Sequence, residues 1–256
     1  MIRLLARLSV LAFAPAALLL STGLAAADGP EVGIDAVGEG NSATELGAID
    51  GCIEAAAGDE VTVDLYVKDV DDLLAWQMWL QYDPAIVEVA DRDVEQFLAT
   101  ADDANVFDAS DQTPDSDGRY AILATNLSDS PDGTSGSGVL AHITLTAVGP
   151  GIAELDLRAE DIDNNGEIDR GPYMKDVGAE VIGDTNDDTF FDGTLRNAAI
   201  AVDADCGEAQ VSVSGGEDDG SPLLYIVAGV AAGVVVLGLA AVFLMRRRGR
   251  SAPADS

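Results

Sequence analysis

Hydrophobic and polar residues alternate with a period of two through most of the chain between residues 31 and 213. The alternation is clearest in EVTVDLYVKDV, LAWQMWLQYDP, VLAHITLTAV, IAELDLRAE and AAIAV. Turn signals such as YDP, DSDG and VGPG separate these segments. One apolar and one polar face on each strand is typical of antiparallel sheets. The pattern therefore predicts an all-β antiparallel sandwich, in which Asp93–Ala101 is the one short helix.

The two ends of the chain carry long apolar runs of different kinds. The N-terminal run predicts a signal peptide over residues 1–27, with a retained membrane anchor as the alternative. Its features are two basic residues, Arg3 and Arg7, the apolar run LSVLAFAPAALLL, and the small residues Ala25–Ala27 before the cleavage site. Residues 223–245 contain no charge and are followed at once by RRRGR. They predict a transmembrane helix and a cytoplasmic tail, 246–256, with a buried core helix as the alternative.

These ends divide the rest of the chain into an exported domain, residues 28–212, and a linker, residues 213–222, which is rich in Gly, Ser and acids. The organisation predicted is a single-pass protein of the cell surface, with its large domain outside the cell.

The charge and composition of the chain restrict the binding partners and metal sites that can be expected. The formal net charge of −33 makes nucleic acid and anionic membrane surfaces poor partners. The acidity suits high salt, high calcium or plain solubility, and composition does not choose among them. With one histidine and two cysteines, a histidine or thiolate metal centre has almost no ligands. In an exported domain, Cys52 and Cys206 favour a disulfide that would tie the first strand to the last; two free thiols are the alternative.

The segment DIDNNGEIDR has the spacing of a calcium-binding loop. Asp161, Asp163, Asn165 and Asp169 fall at positions 1, 3, 5 and 9 of an EF-hand pattern, and Glu167 offers its backbone carbonyl at position 7. Gly166 at position 6 permits the sharp turn, and Ile168 at position 8 is placed to pin the loop to a core. Position 12 holds Pro172 instead of an acid, so a complete EF-hand is not expected.

The same spacing recurs in DTNDDTFFDG. Asp184, Asn186, Asp188 and Asp192 occupy positions 1, 3, 5 and 9, with Phe191 at position 8. Thr189 replaces glycine at position 6, which makes the turn harder. Both loops are predicted calcium sites, because alternate carboxylates repel one another unless a cation offsets their charge. The alternative is a pair of solvated acidic loops.

AGDEVTVDLYVKDVDDLLAWQMWLQYDPAIVEVADRDV and the later GSGVLAHITLTAVGPG resemble cohesin-like domains. The resemblance covers about residues 31–206 and rests mainly on the YDP and GVLAHITL blocks. It implies a jelly-roll sandwich of about nine strands, related to carbohydrate-binding modules. It also implies terminal strands that lie side by side, and binding to dockerins, the calcium-loaded modules that hold enzymes at cell surfaces.

Few residues suggest other chemistry. His142 lies on the polar face of a predicted strand without a recognisable partner, so catalysis is not expected. Trp79 lies on a polar face beside Gln77 and Gln81; it either contacts a sugar or protein ligand or is covered by a loop. Asn126–Ser128 fits an N-glycosylation acceptor, a motif common by chance.

The function predicted from the sequence is a non-catalytic, membrane-anchored cohesin-like module, stabilised by calcium, that attaches to a dockerin-like protein. A carbohydrate-binding module of the same fold, with polysaccharide as its ligand, and a structural cell-envelope protein are the alternatives.

Overall fold

The computed structural model describes residues 29–129, 132–158, 171–185 and 187–214, together with the backbone of 223–226. Regular structure in these ranges consists of thirteen β-strands and two 3-10 helices, Phe97–Thr100 and Cys206–Glu208. The first seven strands are β1 (Glu31–Asp35), β2 (Cys52–Ala55), β3 (Glu60–Gln81), β4 (Val87–Asp93), β5 (Val106–Asp108), β6 (Arg119–Asn126) and β7 (Thr134–Ala147). The other six are β8 (Gly151–Leu155), β9 (Tyr173–Asp176), β10 (Thr194–Arg196), β11 (Ala198–Val202), β12 (Gln210–Ser214) and β13 (Leu223–Ile226).

The centre of the fold is β3, which is 22 residues long. Two segments that the sequence suggests as separate strands are joined in it, and their apolar faces are buried as predicted: Val61, Val63, Leu65, Val67, Trp76, Met78 and Leu80. The join contains two bulges, at which Asp69 and Asp72 adopt a φ of 53°. The backbone N–H groups of Asp69 and Asp72 donate to the hydroxyls of Ser137 and Ser135, so the ladder continues through the irregularity.

Each edge of β3 carries two strands in succession. Leu73 pairs with Thr134 of β7 on one edge and with Asp176 of β9 on the other. Strands β6 and β7 therefore follow one edge, and β1 and β9 follow the opposite edge. β5 lies outside β6 and β4 outside β7, while β10, β12 and β13 extend the sheet beyond β1. The result is a ten-stranded sheet built around one long strand.

The second layer is a three-stranded sheet in the order β2-β11-β8. Residues of both sheets form one apolar core, including Trp76 and Tyr120 of the large sheet and Leu155 and Ile200 of the small one. β11 is buried on both sides, because Ala209 and Val211 cover its outer face at Ala199. The parallel pairs β1–β10 and β2–β11 place early and late strands side by side, as the family resemblance implies.

The predicted sandwich is confirmed, but three details differ. The described residues form thirteen strands rather than about nine, because the segments around residues 52, 194 and 210 add short strands of three to five residues. The predicted helix Asp93–Ala101 is only the 3-10 helix Phe97–Thr100. Strand β4 runs to Asp93 and a turn follows Thr100, so the segment between them is too short for a stable α-helix. Val213 and Ser214 belong to β12 rather than to a linker.

The predicted ends lie mostly outside the described residues. This holds for the signal peptide, residues 1–27, and for residues 227–256. Leu223–Ile226, the start of the predicted span, form β13 paired with β12 instead of a helix. Within the described residues, no helix has the length and apolar character that a bilayer crossing requires. The transmembrane helix and the signal peptide stay predictions.

Candidate functional site

Cys52 and Cys206 form the disulfide that the sequence predicts, with their Cα atoms 5.9 Å apart. The bridge does not join the first strand to the last. It joins the start of β2 to the 3-10 helix after β11, because β2 lies directly beside β11 with Cys52 opposite Ala199. The Cys206 backbone N–H also donates to Glu54 Oε1 at 3.1 Å. The C-terminal segment is thus fixed where it turns back over the small sheet.

The second acidic loop gathers three of its four predicted side-chain ligands. Asp184, Asp188 and Asp192 each offer a carboxylate oxygen within 4.8 Å of the others. The fourth, Asn186, lies outside the described residues, as do all the residues of the first loop: Asp161, Asp163, Asn165, Glu167 and Asp169. Three converging carboxylates are ligands of the type that calcium prefers.

Local geometry explains how this loop forms without glycine at position 6. Thr189 has a φ of 75°, the left-handed turn that the EF-hand pattern requires there. Its backbone N–H donates to Asp184 Oδ2 at 3.0 Å, and the Asp187 N–H donates to Asp184 Oδ1 at 2.7 Å. Phe191 at position 8 is 4% exposed and belongs to the main core. The buried Phe191 ring and the Asp184 bonds together hold the loop closed.

Trp79 is half-buried on the outer side of β3 and lies opposite Ala121 of β6. Cross-strand partners share a face of a sheet. This assigns to the same outer side a set of half-buried or exposed residues, here called the Trp79 face: Gln77, Trp79, Phe107, Ala121, Leu123, Thr125 and Tyr173. Phe107 is 52% exposed, and nearby Leu127 is 54% exposed. Neither residue stands out in the sequence, because Phe107 directly follows Val106 and opens the acidic segment FDASDQTPDSDG.

His142 has a partner, contrary to the expectation from the sequence. Its Nδ1 lies 2.6 Å from Oδ1 of Asp64, which is 4% exposed. Asn41 Nδ2 donates to Asp64 Oδ2 at 2.9 Å and to Asp35 Oδ2 at 2.8 Å. Asp35, Asp64 and His142 are opposite one another on β1, β3 and β7, so strand register brings them together. These contacts hold β1, β3 and β7 together with the loop that follows β1, which is a structural role.

A second cluster around a buried carboxylate lies in the large sheet, at the start of β1. Glu31 Oε1 accepts hydrogen bonds from Tyr66 Oη at 2.7 Å, Lys68 Nζ at 2.9 Å and Arg196 Nε at 2.9 Å. Burial alone raises the pKa of Glu31, but these three donors outweigh it and hold the pKa below its usual value. Burial and the same Glu31 carboxylate raise the pKa of Tyr66. The group links β1, β3 and β10.

Asn126 is 4% exposed and does not fit glycosylation in the folded chain. Its Oδ1 accepts from the backbone N–H groups of Asn105 at 3.0 Å and Ser128 at 3.1 Å. The side chain of the sequon therefore closes a turn instead of facing solvent.

Residues 49–151 match the family model of the cohesin domain. This match confirms the resemblance to cohesin domains over residues 49–151, and the two sheets also contain strands outside the matched range. No curated protein matches the chain.

Solved cohesin structures are also similar to the chain. A type I cohesin–dockerin complex of Clostridium thermocellum, Coh-OlpA-Doc918, aligns with a TM-score of 0.45 and 14% identity, covering 68% of this chain and 99% of the cohesin chain. The seventh ScaB type I cohesin of Pseudobacteroides cellulosolvens gives 0.44 and 14%, covering 70% and 96%. A non-cellulosomal cohesin of the archaeon Archaeoglobus fulgidus gives 0.41 and 13%, covering 68% and 91%.

Proposed function

We propose that this protein is a non-catalytic attachment module that binds a dockerin-type protein through the Trp79 face. The observation that carries the proposal is the cohesin match over residues 49–151. The Trp79 face adds a surface of suitable character, since half-buried Trp and Tyr and an exposed Phe are the residue types that anchor protein interfaces. They lie on one outer face formed by β9, β3, β6 and β5, on a strongly acidic molecule.

The test is binding of the purified full chain to calcium-loaded dockerin modules, measured by calorimetry. We expect Trp79→Ala to weaken binding by about 2 kcal/mol or more, roughly thirtyfold, because a large buried anchor is lost. Val148→Ala truncates an exposed apolar side chain away from the face and serves as the control. Equal affinity of the Trp79→Ala variant and the native chain would contradict the proposed surface.

The two other functions give different results in the same assay. Binding to polysaccharide instead of dockerins, lost in Trp79→Ala, would indicate the carbohydrate-binding alternative. Binding to neither ligand would indicate a structural element of the cell envelope. The half-buried state of Trp79 favours protein over sugar, because a stacking platform for a sugar ring presents an open aromatic face.

Calcium at the Asp184–Asp192 loop is part of the same proposal. The convergence of Asp184, Asp188 and Asp192 and the left-handed turn at Thr189 support it. A cation bound only by the folded state stabilises it by about 2.7 kcal/mol at a concentration of 100 Kd. We therefore expect the melting temperature to rise with calcium and to fall with a chelator. An unchanged melting temperature would remove calcium from the proposal.

Display outside the cell completes the proposal, with residues 1–27 as a signal peptide and 223–245 as a membrane anchor. The Cys52–Cys206 disulfide supports it, because such bonds persist mainly in oxidising compartments. The check is treatment of intact cells with a protease that does not enter them. Loss of the domain from intact cells is the expected result, and full protection would contradict it.

A further inference from the structure

Lys175 differs from most other basic residues of the chain, because it forms no ion pair in the part that the structure describes. The basic side chains that pair with a carboxylate include those of Lys68, Arg92, Arg158 and Arg196. The chain contains 46 acidic and 13 basic residues, so carboxylates are not scarce. The unpaired state of Lys175 therefore follows from its position in the fold.

The position of Lys175 is the border of the Trp79 face. In β9 it pairs with Ala75 of β3, and Ala75 pairs in turn with Thr125 of β6. Tyr173 and Lys175 are half-buried and alternate with fully buried Met174, so their side chains leave β9 on the same outer side. The lysine therefore stands next to the residues proposed to contact a partner, on the side of the face that β9 supplies.

The backbone that carries Lys175 is held from both sides. On one side β9 pairs with β3, where Met174 lies opposite Trp76 and both side chains belong to the core. On the other side the Ile182 backbone N–H donates to the Met174 carbonyl oxygen at 3.0 Å, and Lys175 itself bridges to Val181. The position of the lysine is thus set before any partner arrives, which lowers the ordering cost of a contact with it.

Phe107 forms the opposite border of the face. It extends from β5, pairs with Thr125 of β6 and is 52% exposed. The row Lys175, Ala75, Thr125 and Phe107 crosses four neighbouring strands. Because neighbouring strands lie about 4.8 Å apart, the ends of the row are separated by roughly 14 Å. Ala75 and Thr125 have short side chains, so a segment of a partner can lie across the row between a cation and an aromatic ring.

The charge of this surface is unlike that of the whole chain. The formal net charge is −33, yet none of the seven residues of the Trp79 face is acidic, and neither is Ala75 or Lys175. A carboxylate that approaches the Lys175 border therefore meets a cation and no carboxylate of the face. Because a strongly acidic surface otherwise repels negative charge, electrostatic complementarity directs an acidic group of a partner to this border.

We propose that Lys175 pairs with an aspartate or glutamate side chain of the protein that docks on the Trp79 face. An apolar side chain of the same partner contacts Phe107 at the other end of the row. This inference rests on the proposed function, because it specifies the chemistry of the partner at that surface. It also gives the docking a direction, since the acidic and apolar groups fix which way the partner lies across the four strands.

The first test uses small probes, so that it does not depend on identifying the partner. The chain has two lysines, so the full chain labelled with ¹³C at lysine Cε gives two signals, and Lys68, already paired with Glu31, is the internal control. The probes are 3-phenylpropanoate and the uncharged 3-phenylpropanamide, which has a similar shape. We expect the charged probe alone to shift the Lys175 signal, with a Kd in the millimolar range, and added sodium chloride to weaken its binding.

The second test measures binding of a calcium-loaded dockerin module to substituted chains. Lys175→Met keeps the length of the side chain without its charge and should weaken binding about fivefold, and Lys175→Glu at least about thirtyfold, because like charges then face each other. Lys175→Arg keeps the charge and should stay within about twofold of the native affinity. Gln210→Glu, exposed on β12 outside the face, changes the net charge by the same amount as Lys175→Met and should leave the affinity unchanged. Melting curves check that each variant is folded.

The outcomes separate this inference from the proposed function. If Trp79→Ala weakens partner binding but Lys175→Glu binds as Gln210→Glu does, the Lys175 pairing is wrong and the proposed function stands. If no dockerin module binds, the proposed function is wrong; a Lys175 shift with the charged probe alone then supports a carboxylate site, and equal responses to both probes overturn it. If polygalacturonate binds the chain and Lys175→Met abolishes this binding, the carboxylate belongs to a polysaccharide, and the assignment to a protein partner is overturned.

Discussion

The Asp35–Asp64 cluster and the Asp184–Asp188–Asp192 loop solve the same electrostatic problem by different means. In the first, both carboxylates are buried, and Asn41, His142 and backbone N–H groups supply the hydrogen bonds. In the second, the carboxylates are partly exposed and converge within 4.8 Å. Clustered negative charge is therefore stabilised either by donors from several strands or, as proposed here, by a cation that one continuous loop encloses.

Removal of Asp35 should have the largest effect on stability. Its carboxylate is fully buried and accepts from the backbone N–H of Val37 at 3.1 Å, the N–H of Asp50 at 3.0 Å and Asn41 Nδ2 at 2.8 Å. Asp35→Ala leaves these donors without an acceptor, and we expect a loss of about 3 to 5 kcal/mol in the free energy of unfolding. Urea titration measures it. Asp102→Ala, an exposed control, should change stability by less than about 0.5 kcal/mol.

A smaller effect on stability, present only with calcium, is expected from a substitution in the Asp184–Asp192 loop. Asp188→Asn keeps an oxygen that can accept from the Phe190 N–H but removes one of the three converging charges. Most of the calcium-dependent stabilisation, about 2.7 kcal/mol at 100 Kd, should disappear, while stability in chelator should stay nearly constant.

Melting curves with and without calcium provide the measurement for Asp188→Asn. Asp102→Asn should keep the full calcium response. If Asp188→Asn destabilises the chain equally with and without calcium, the loop resembles the buried cluster and the contrast between the two regions fails.

The smallest effect concerns Glu31, whose charge is balanced by Lys68 and Arg196. Because its folded-state pKa is lowered, its contribution is present above its usual pKa of 4.5 and is lost as the pH falls through the folded value. Glu31→Gln should cost about 1 to 2 kcal/mol at neutral pH and reduce the loss of stability below pH 4.5. Urea titrations at a series of acidic pH values measure this effect. If the variant loses as much stability below pH 4.5 as the native chain does, Glu31 is not responsible for the acid sensitivity.

The same contrast shows which contacts can be predicted from the sequence: those within one continuous segment. The loop around Asp184 is local, so its spacing predicted which side chains converge and that Phe191 would anchor it. Alternation likewise predicted the buried faces of β3, and the presence of only two cysteines predicted their pairing.

Non-local contacts were out of reach, because they depend on strand register. His142 meets Asp64 across 78 positions of sequence, and Glu31 meets Arg196 across 165. The fusion of two predicted strands into β3 was missed for a related reason. Its bulges at Asp69 and Asp72 are satisfied by serines of β7, which only the folded sheet brings opposite them.

The Cys52–Cys206 bridge, which spans 154 positions, makes most of the domain a covalently closed ring. A single proteolytic cut in any connection inside that ring yields two fragments that remain one molecule until a thiol reductant separates them. Trimming of an exposed loop would therefore leave the C-terminal segment attached to the rest of the domain.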